Sequence, residues 1–138
     1  MNHWLFKTEP ETWSWDQQKA KGAKGEPWSG VRNFTAAGNM KKMKKGDLGF
    51  FYHSGKERRI VGIVEVIGEY RKDPTDESHR FGLVDVKAVK DFARPVTLEE
   101  IKADKQFGQM ALVKYSRLSV QPVTPAEWKQ ICERGGVD

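Results

Sequence analysis

The chain has 138 residues and a mass of 15.8 kDa, which suits a single domain, residues 1–138, because most domains contain about 100 to 150 residues. It is polar, with 31% charged residues and a mean hydropathy of -0.70, yet five Trp and 11% aromatic residues favour a folded chain over a disordered one. No apolar run approaches the roughly 20 residues that cross a bilayer, and Lys7 and Glu9 stand where a signal peptide would be apolar. We therefore expect a cytoplasmic protein without a membrane segment.

The net charge of +5 is unevenly distributed. Up to Arg59 there are 12 basic and 6 acidic residues, whereas the remainder has 12 basic and 13 acidic residues. Such an asymmetry is typical of a protein with one face that meets a polyanion such as nucleic acid, although a generic solubilising surface is the alternative. Cys132 is the single cysteine and there are three scattered His, so we expect no disulfide within the chain, no structural metal and no cofactor.

Short elements are predicted at the start of the chain. The bulky residues His3–Lys7 indicate a strand, which Pro10 prevents from continuing within a central sheet. Ser14 and Gln17 form a capping-box pattern that predicts a short helix. Residues 19–27, with two Gly in a Lys-rich stretch, are typical of an exposed loop.

A helix is predicted over residues 32–43, where Phe34, Ala37 and Met40 recur near the helical period and Gly38 weakens the pattern. Its far end is strongly basic. Cations also stabilise a helix C-terminus, so helix electrostatics is the alternative to ligand contact for part of this cluster, which consists of Lys41, Lys42, Lys44 and Lys45.

The chain then changes to strand patterns. Residues 48–53, 60–70 and 81–89 predict three antiparallel strands, and residues 110–118 predict another. Together with the first strand they indicate an α+β fold with about five or six strands curled into a small barrel, surrounded by short helices.

Two more helix starts are marked by capping boxes, at Thr97 and at Thr124. In the second helix Trp128, Ile131 and Cys132 share one face, and Gly135 is a stop signal. We expect Trp128 to be a core residue and Cys132 to be a small buried hydrophobic residue rather than a reactive thiol.

Enzyme signatures are missing from the sequence. It has no phosphate-binding loop, no dinucleotide-binding glycine pattern and no nucleophile elbow. Glu9, Asp47 and Asp85 could act as acid and base if folding brought them together, so an enzyme remains the less favoured alternative, with no catalytic residue assigned.

Three short clusters place flat rings beside hydrogen-bonding groups: Trp4–Pro10, Trp28–Asn33 and Phe51–Ser54. This mixture suits a pocket for one unstacked base, which needs a ring to stack on and donors and acceptors to read its edge. Trp28 follows Pro27 at a junction, so for this ring a pocket wall and the core are equal alternatives. The core is the preferred interpretation for most of the other rings, which are Trp4, Phe6, Trp13, Trp15, Phe51 and Trp128.

At these clusters the sequence resembles the EVE domain, a family of the PUA-like superfamily to which the YTH readers also belong. The matching blocks run in order along the chain and are Trp4–Pro10, Trp13–Trp15, Trp28–Asn33, Met43–Asp47, Phe51–Ser54, Val61–Ile63, Asp73–Pro74, Val84–Val86 and Arg117–Pro122. Two places depart from the family pattern: Ala37-Gly38 replaces a frequent Arg-Asn, and Phe81 replaces a frequent Trp.

The resemblance implies a PUA-like barrel and a pocket that holds a modified base of DNA or RNA. The residues implied to line or rim this pocket are Trp28, Lys7, Thr8, Ser29, Val31, Asn33, Tyr52, His53 and Ser54. The residues expected to hold neighbouring phosphates are Arg32, Lys41, Lys42, Lys44 and Lys45.

The residues themselves leave several alternatives open. Helix-start geometry and a surface ion pair are alternatives for Asn33 and Arg32, and a buried hydrogen-bonded ring is the alternative for His53. The predicted function is a reader of modified DNA or RNA with an aromatic cage. An enzyme acting on modified nucleotides and a small-molecule-binding or protein-binding module are the rival classes.

Overall fold

The computed structural model describes residues 1–137, which form six strands in one mixed sheet and five short α-helices. The strands are β1 (His3–Thr8), β2 (Glu26–Pro27), β3 (Leu48–His53), β4 (Arg59–Lys72), β5 (Gly82–Thr97) and β6 (Val120–Val123). The helices are α1 (Trp15–Ala20), α2 (Phe34–Lys41), α3 (Leu98–Lys102), α4 (Ala111–Lys114) and α5 (Pro125–Gly135), with 3₁₀ turns at Gly22–Lys24 and Lys105–Phe107.

The strand order across the sheet is β2-β5-β4-β3-β1-β6. The central strands β3, β4 and β5 are antiparallel, as the sequence predicted. Strand β1 runs parallel to β3 and antiparallel to β6. The predicted α+β class with about six strands is confirmed, but β2 and β6 do not pair in the described part of the chain, so the sheet is not closed into a barrel by strand pairing.

The sheet separates two hydrophobic clusters because neighbouring side chains of a strand point to opposite faces. In β3, Phe51 belongs to the first cluster, with Trp28, whereas Phe50 and Tyr52 belong to the second. The rings predicted to fill the core are largely buried; the two exceptions, Trp13 and Trp128, are half-buried.

Helix α1 packs closely on the sheet. A Cβ atom at Gly62 would lie 2.1 Å from the Trp15 ring, so only glycine at this position of β4 permits the contact. The Trp15 indole N–H donates to Asp91 at 2.7 Å, and the capping box at Ser14 is formed as predicted. This packing fixes the segment that precedes the helix.

The predicted strand over residues 110–118 is wrong. Residues 111–114 form helix α4, in which the N–H groups of Lys114 and Tyr115 donate to the carbonyls of Met110 and Ala111. Met110 and Leu112 are buried in the second cluster, so the apolar residues are used by a short helix and its flank rather than by a sheet face. The missed strand is β6, which contains Pro122 and pairs at the edge of the sheet, where proline is tolerated.

Two smaller predictions also need correction. Ala37 and Met40 of α2 are buried as expected, but Phe34 is 65% exposed and stacks on Phe81 with ring centroids 4.8 Å apart. The predicted loop over 19–27 contains the end of α1, a 3₁₀ turn and strand β2, because Glu26 and Pro27 pair with β5.

Candidate functional site

A cleft of about 340 Å³ opens beside the loop that follows β2, and we call it the first cleft. Its walls come from the loop, from the end of β1 and from the segment that precedes α1. The lining residues are Lys7, Thr8, Thr12, Trp13, Glu26, Pro27, Trp28, Ser29, Gly30, Val31, Arg32 and Ser119.

One buried carboxylate fixes the loop wall of the first cleft. The Asp73 side chain has no exposed surface, and one of its oxygens accepts from the Gly30 N–H at 2.8 Å and from the Arg32 guanidinium at 3.1 Å. Gly30 has a φ of 86°, a left-handed conformation that favours glycine. Burial alone would raise the pKa of Asp73, but hydrogen bonds from Thr75, Gly30 and Arg32 together lower it to about 2.

Trp28 is both a lining residue of the first cleft and a core residue. It is only 6% exposed, its N–H donates to the Val84 carbonyl at 2.8 Å, and its ring meets Phe6 and Phe51 edge-on at centroid distances of 5.2 and 5.6 Å. Trp28 is thus more buried than Trp128, which was expected to be a core residue and is half-buried. The first cluster covers most of Trp28, and only a small part of its surface is accessible from the cleft.

Lys7 and Thr8 join β1 to other walls of the first cleft. The Lys7 ammonium donates to the Ser116 carbonyl at 2.8 Å, and the Lys7 N–H donates to the Ser119 carbonyl at the same distance. The Thr8 hydroxyl donates to the Trp13 carbonyl at 3.1 Å. Burial lowers the pKa of Lys7, and its position places a cation at the boundary of the cleft.

Trp13 is a lining residue that the sequence interpretation assigned to the core. Its half-buried ring faces the first cleft, and its indole N–H donates to the Gln18 side chain at 2.9 Å. A signal was present: Trp13 directly precedes the cap Ser14, and a hydrophobic residue in this position packs against the first turn of the helix rather than within a sheet. Thr12, Glu26 and Ser119 also line the cleft and were not predicted.

Asn33 does not line the first cleft. Its side-chain oxygen accepts from the Ala36 N–H at 2.8 Å and caps α2, and the residue faces a second cleft. Arg32 does line the first cleft, and it also forms the ion pair with Asp73. The two alternatives left open for these residues, helix-start geometry and an ion pair, are therefore both present in the structure.

The block Tyr52–Ser54 does not line the first cleft. Tyr52 points into the second cluster, and burial raises its pKa to about 12. The His53 Nε2 atom accepts from the Trp15 N–H at 3.0 Å, so the ring proton is on Nδ1 and is donated to Glu57 at 2.8 Å. The Ser54 N–H donates to the Thr8 carbonyl at 2.8 Å. His53 thus holds the start of α1, which follows Trp13, and Ser54 holds the end of β1 at Thr8.

The four lysines at the end of α2 are exposed, and none of them lines the first cleft. The Lys41 ammonium lies 5.6 Å from the centre of the Tyr70 ring, and Lys42 lines a third cleft of about 260 Å³. Their positive charge is therefore available at the surface of the molecule.

The remaining titratable groups show no assembled metal centre among residues 1–137, where no group of three or more His, Cys, Asp or Glu is placed to hold an ion. Cys132 is buried as predicted, and burial raises the pKa of its thiol to about 11. Over the same residues, none of the helices has the length and the apolar character that crossing a membrane requires.

Solved structures define the class of fold. A protein from Agrobacterium tumefaciens has 49% sequence identity and a TM-score of 0.97, covering 99% of this chain and 94% of that chain. Human THYN1 protein in complex with 5-methylcytosine-containing DNA has 29% identity and a TM-score of 0.90, covering 100% and 99%. The YTH domain of Zygosaccharomyces rouxii MRB1 shares the fold at 18% identity and a TM-score of 0.59, covering 99% and 88%. The fold is therefore PUA-like, as predicted.

The chain belongs to the EVE domain family, whose model matches residues 2–134. Thymocyte nuclear protein 1 from chicken is 35% identical over 158 residues. The match covers 91% of this chain and 65% of the chicken protein's length.

Proposed function

We propose that this chain is a reader of modified nucleic acids that holds one flipped base in the first cleft. The observation that carries the proposal is the pairing of two indole rings, Trp13 and Trp28, with polar groups in one cleft of about 340 Å³. Stacking on a ring and hydrogen bonds to an edge are the two requirements for holding an unstacked base.

The composition of the first cleft supplies groups for both purposes. Trp13 offers the more accessible ring, and Trp28 offers the part of its surface that the core leaves free. The hydroxyls of Thr12 and Ser29 donate and accept hydrogen bonds. The Glu26 carboxylate accepts, and an acidic side chain suits the exocyclic amino group of a cytosine. The base would thus meet rings on its faces and polar atoms at its edge.

The rigidity of the cleft supports recognition by shape. Asp73 fixes the loop wall, and Ser54 and His53 fix the elements on the opposite side. A site that is formed before binding loses less conformational entropy when the ligand arrives. Four predicted pocket residues do not line the first cleft, and in this proposal they contribute by positioning its walls. They are Asn33, Tyr52, His53 and Ser54.

Phosphates next to the flipped nucleotide would meet cations at the rim. Arg32 uses part of its guanidinium on Asp73 and Thr75, but a guanidinium has five N–H donors, so some remain for a phosphate. Lys41, Lys42, Lys44 and Lys45 provide exposed charge farther along the surface. Such contacts add affinity without sequence preference.

The relatives indicate which modification to try first. Human THYN1 protein, which has 29% identity to this chain, was crystallised with 5-methylcytosine-containing DNA. We therefore choose 5-methylcytosine as the first probe, together with the matched unmodified strand.

The test measures Kd for matched short DNA and RNA strands that carry either 5-methylcytosine or cytosine, followed by a panel of other modified bases. The proposal expects tighter binding to one modified strand than to its unmodified counterpart. Equal Kd values across the whole panel, or no binding, would overturn it. Mass analysis of the strands after incubation addresses the rival class, since a changed mass would assign the site to an enzyme.

A further inference from the structure

A second cleft, of about 690 Å³, lies beside the first one and is lined by α2 and its cap, by α4 and the turn that follows it, and by Pro122 of β6. Its charged lining residues are Lys114 and Arg117, and the described lining contains no acidic side chain. An anionic ligand would therefore meet two cations there without a competing carboxylate.

Tyr115 gives the second cleft an exposed ring. The side chain is 55% exposed, and the Lys114 ammonium lies 5.8 Å from the centre of its ring. An exposed ring flanked by cations is the combination that binds a base and its phosphate in single-stranded nucleic acids.

Side chains of neighbouring strands donate hydrogen bonds to the backbone of the turn that carries Tyr115. The side-chain amide of the buried Gln121 donates to the carbonyls of Tyr115 and Leu118 at 3.2 and 2.9 Å, and Lys7 donates to the Ser116 carbonyl at 2.8 Å. The backbone position of the exposed ring is therefore set by side chains of β6 and β1, which favours a recognition role over a loose surface residue.

The two clefts are neighbours, separated by a ridge that consists of Arg32–Asn33 and Leu118–Ser119. Arg32 lines the first cleft and the next residue, Asn33, lines the second; in the same way Ser119 lines the first and Leu118 the second. Adjacent residues are 3.80 Å apart at their Cα atoms, so a strand that leaves the first cleft across this ridge enters the second.

We infer that the second cleft is a subsite for the nucleotide adjacent to the flipped base, with Tyr115 stacking on that neighbouring base and Lys114 and Arg117 holding its phosphate. The inference rests on the proposed function of the first cleft. It adds that the ligand is an opened or single strand of at least two nucleotides rather than an isolated nucleoside.

The experiment compares two probes on the whole chain: 5-methyl-2′-deoxycytidine, and a five-nucleotide DNA strand with 5-methylcytosine at its centre. Tyr115→Ala should weaken binding of the strand about five-fold to over a hundred-fold, because stacking of one base is lost, and should leave the Kd of the nucleoside unchanged. Tyr115→Phe keeps the ring and should retain the affinity for the strand.

Variants that remove a cation from the second cleft test the inference independently. Lys114→Gln and Arg117→Gln should each reduce the slope of log K against log salt for the strand, and the double variant should reduce it by about 0.7, the contribution of one phosphate of a single strand. Lys102→Gln is the matched control, since Lys102 is exposed on α3 and does not line the second cleft.

The outcomes separate the two claims. If the wild-type chain prefers the modified strand and Tyr115→Ala binds it equally well, the subsite is overturned and the reader function stands. If Tyr115→Ala weakens the nucleoside as much as the strand, a separate subsite is likewise overturned. If the wild-type chain binds no member of the modified panel, the proposed function fails and the subsite fails with it.

Discussion

At the scale of single residues, Trp13 and Trp28 line the same cleft but differ in how much protein covers them. Trp28 is 6% exposed and packs on Phe6 and Phe51, whereas Trp13 is half-buried. A substitution at Trp28 therefore changes folding and binding together, and Trp13 offers the cleaner test of stacking.

We predict that Trp13→Ala weakens binding of a modified strand about five-fold to over a hundred-fold, because a stacked base contributes about 1 to 3 kcal/mol. Trp28→Ala should in addition destabilise the fold by about 3 to 5 kcal/mol, the usual cost of removing a buried large ring. Denaturant unfolding and binding titrations of both variants measure the two effects.

Trp128→Ala is the control for this comparison. Trp128 is half-buried and stacks on Phe50 with ring centroids 3.9 Å apart, on the face of the sheet away from the Trp28 cluster. Its loss should lower the Tm while the folded variant binds as tightly as wild type. Normal binding by a folded Trp13→Ala variant would remove this ring from the proposed site.

Six of the predicted pocket and phosphate residues line the first cleft. They belong to two short sequence blocks, one at the end of β1 and one in the loop that follows β2, and each block forms one wall of the cleft. The block at 52–54 does not join them. Side chains alternate along β3, so Tyr52 points to the face of the sheet that carries the second cluster. The His53 ring is hydrogen-bonded to Trp15 and Glu57. Sequence spacing could not show which face of β3 meets the cleft. The six residues are Lys7, Thr8, Trp28, Ser29, Val31 and Arg32.

At the scale of elements, the loop wall of the first cleft depends on the ionised form of Asp73. Its pKa is about 2 in the folded chain and about 3.9 in an unfolded one. A lowered pKa means that the carboxylate stabilises the fold above about pH 4, and that this contribution is lost as the pH falls through about 2.

We predict that Asp73 contributes about 2 to 3 kcal/mol to the free energy of unfolding at neutral pH, since its pKa is about 2 in the folded chain and one pKa unit corresponds to about 1.4 kcal/mol. Asp73→Asn should remove that share of the acid dependence, so the wild-type and variant curves should converge between about pH 4 and pH 2. Urea unfolding across this range measures the difference. A constant gap between the curves would show that ionisation of Asp73 is not what stabilises the loop.

Variants of Asn33 distinguish two roles for its side chain, capping of α2 and reading of a base. If the side chain is only a cap, Asn33→Ala should cost about 1 kcal/mol of stability, and Asn33→Asp should restore it. Neither variant should then change the ratio of Kd values for modified and unmodified strands. A changed ratio in a stably folded variant would instead assign base reading to Asn33.

Helix starts were the most predictable elements, because a capping box is a local signal. The boxes at Ser14, Thr97 and Thr124 all form as predicted. The segment 110–118 was not predictable in the same way, since its short apolar run fits either a buried strand or a buried helical turn, and the choice depends on tertiary packing, here in the cluster that also contains Phe107.

At the scale of the whole molecule, the positive charge of the first 59 residues lies partly beyond the clefts that would hold bases. Asn39 and Pro122 line both the second cleft and the third one, and the third cleft is also lined by Lys42. Lys42, one of the four lysines at the end of α2, therefore lies on a series of neighbouring clefts that begins at the first cleft.

We predict that affinity for nucleic acid falls steeply with salt, because each neutralised phosphate releases bound counterions. Replacing Lys41, Lys42, Lys44 and Lys45 together by Gln should flatten the slope of log K against log salt by at least about one unit. The ratio of Kd values for modified and unmodified strands should stay nearly constant. An unchanged slope would show that the cluster faces away from the ligand.

The position of β1 has a consequence for the order in which the chain folds. Its partners are remote in sequence: His3 pairs with Leu48 in β3 and with Val123 in β6. Strand β4, by contrast, pairs with neighbours that are close in sequence: Arg59 lies opposite His53 of β3, and Lys72 lies opposite Gly82 of β5. Closing a short loop costs less entropy than closing a long one, so we expect the β3–β4 and β4–β5 hairpins to form early and β1 to dock late.

If β1 docks late, substitutions in β1 and in β4 should change different rate constants, those of unfolding and of folding respectively. Leu5→Ala in β1 should mainly speed unfolding, whereas Val64→Ala in β4 should mainly slow folding, because only the latter contact is made before the rate-limiting step. Both side chains are fully buried, so both variants should be destabilised enough for stopped-flow measurements to separate the rates. The β1 end of the first cleft, with Lys7 and Thr8, would then be the last part of the site to assemble, and the nascent chain could not hold a base until β6 had been synthesised.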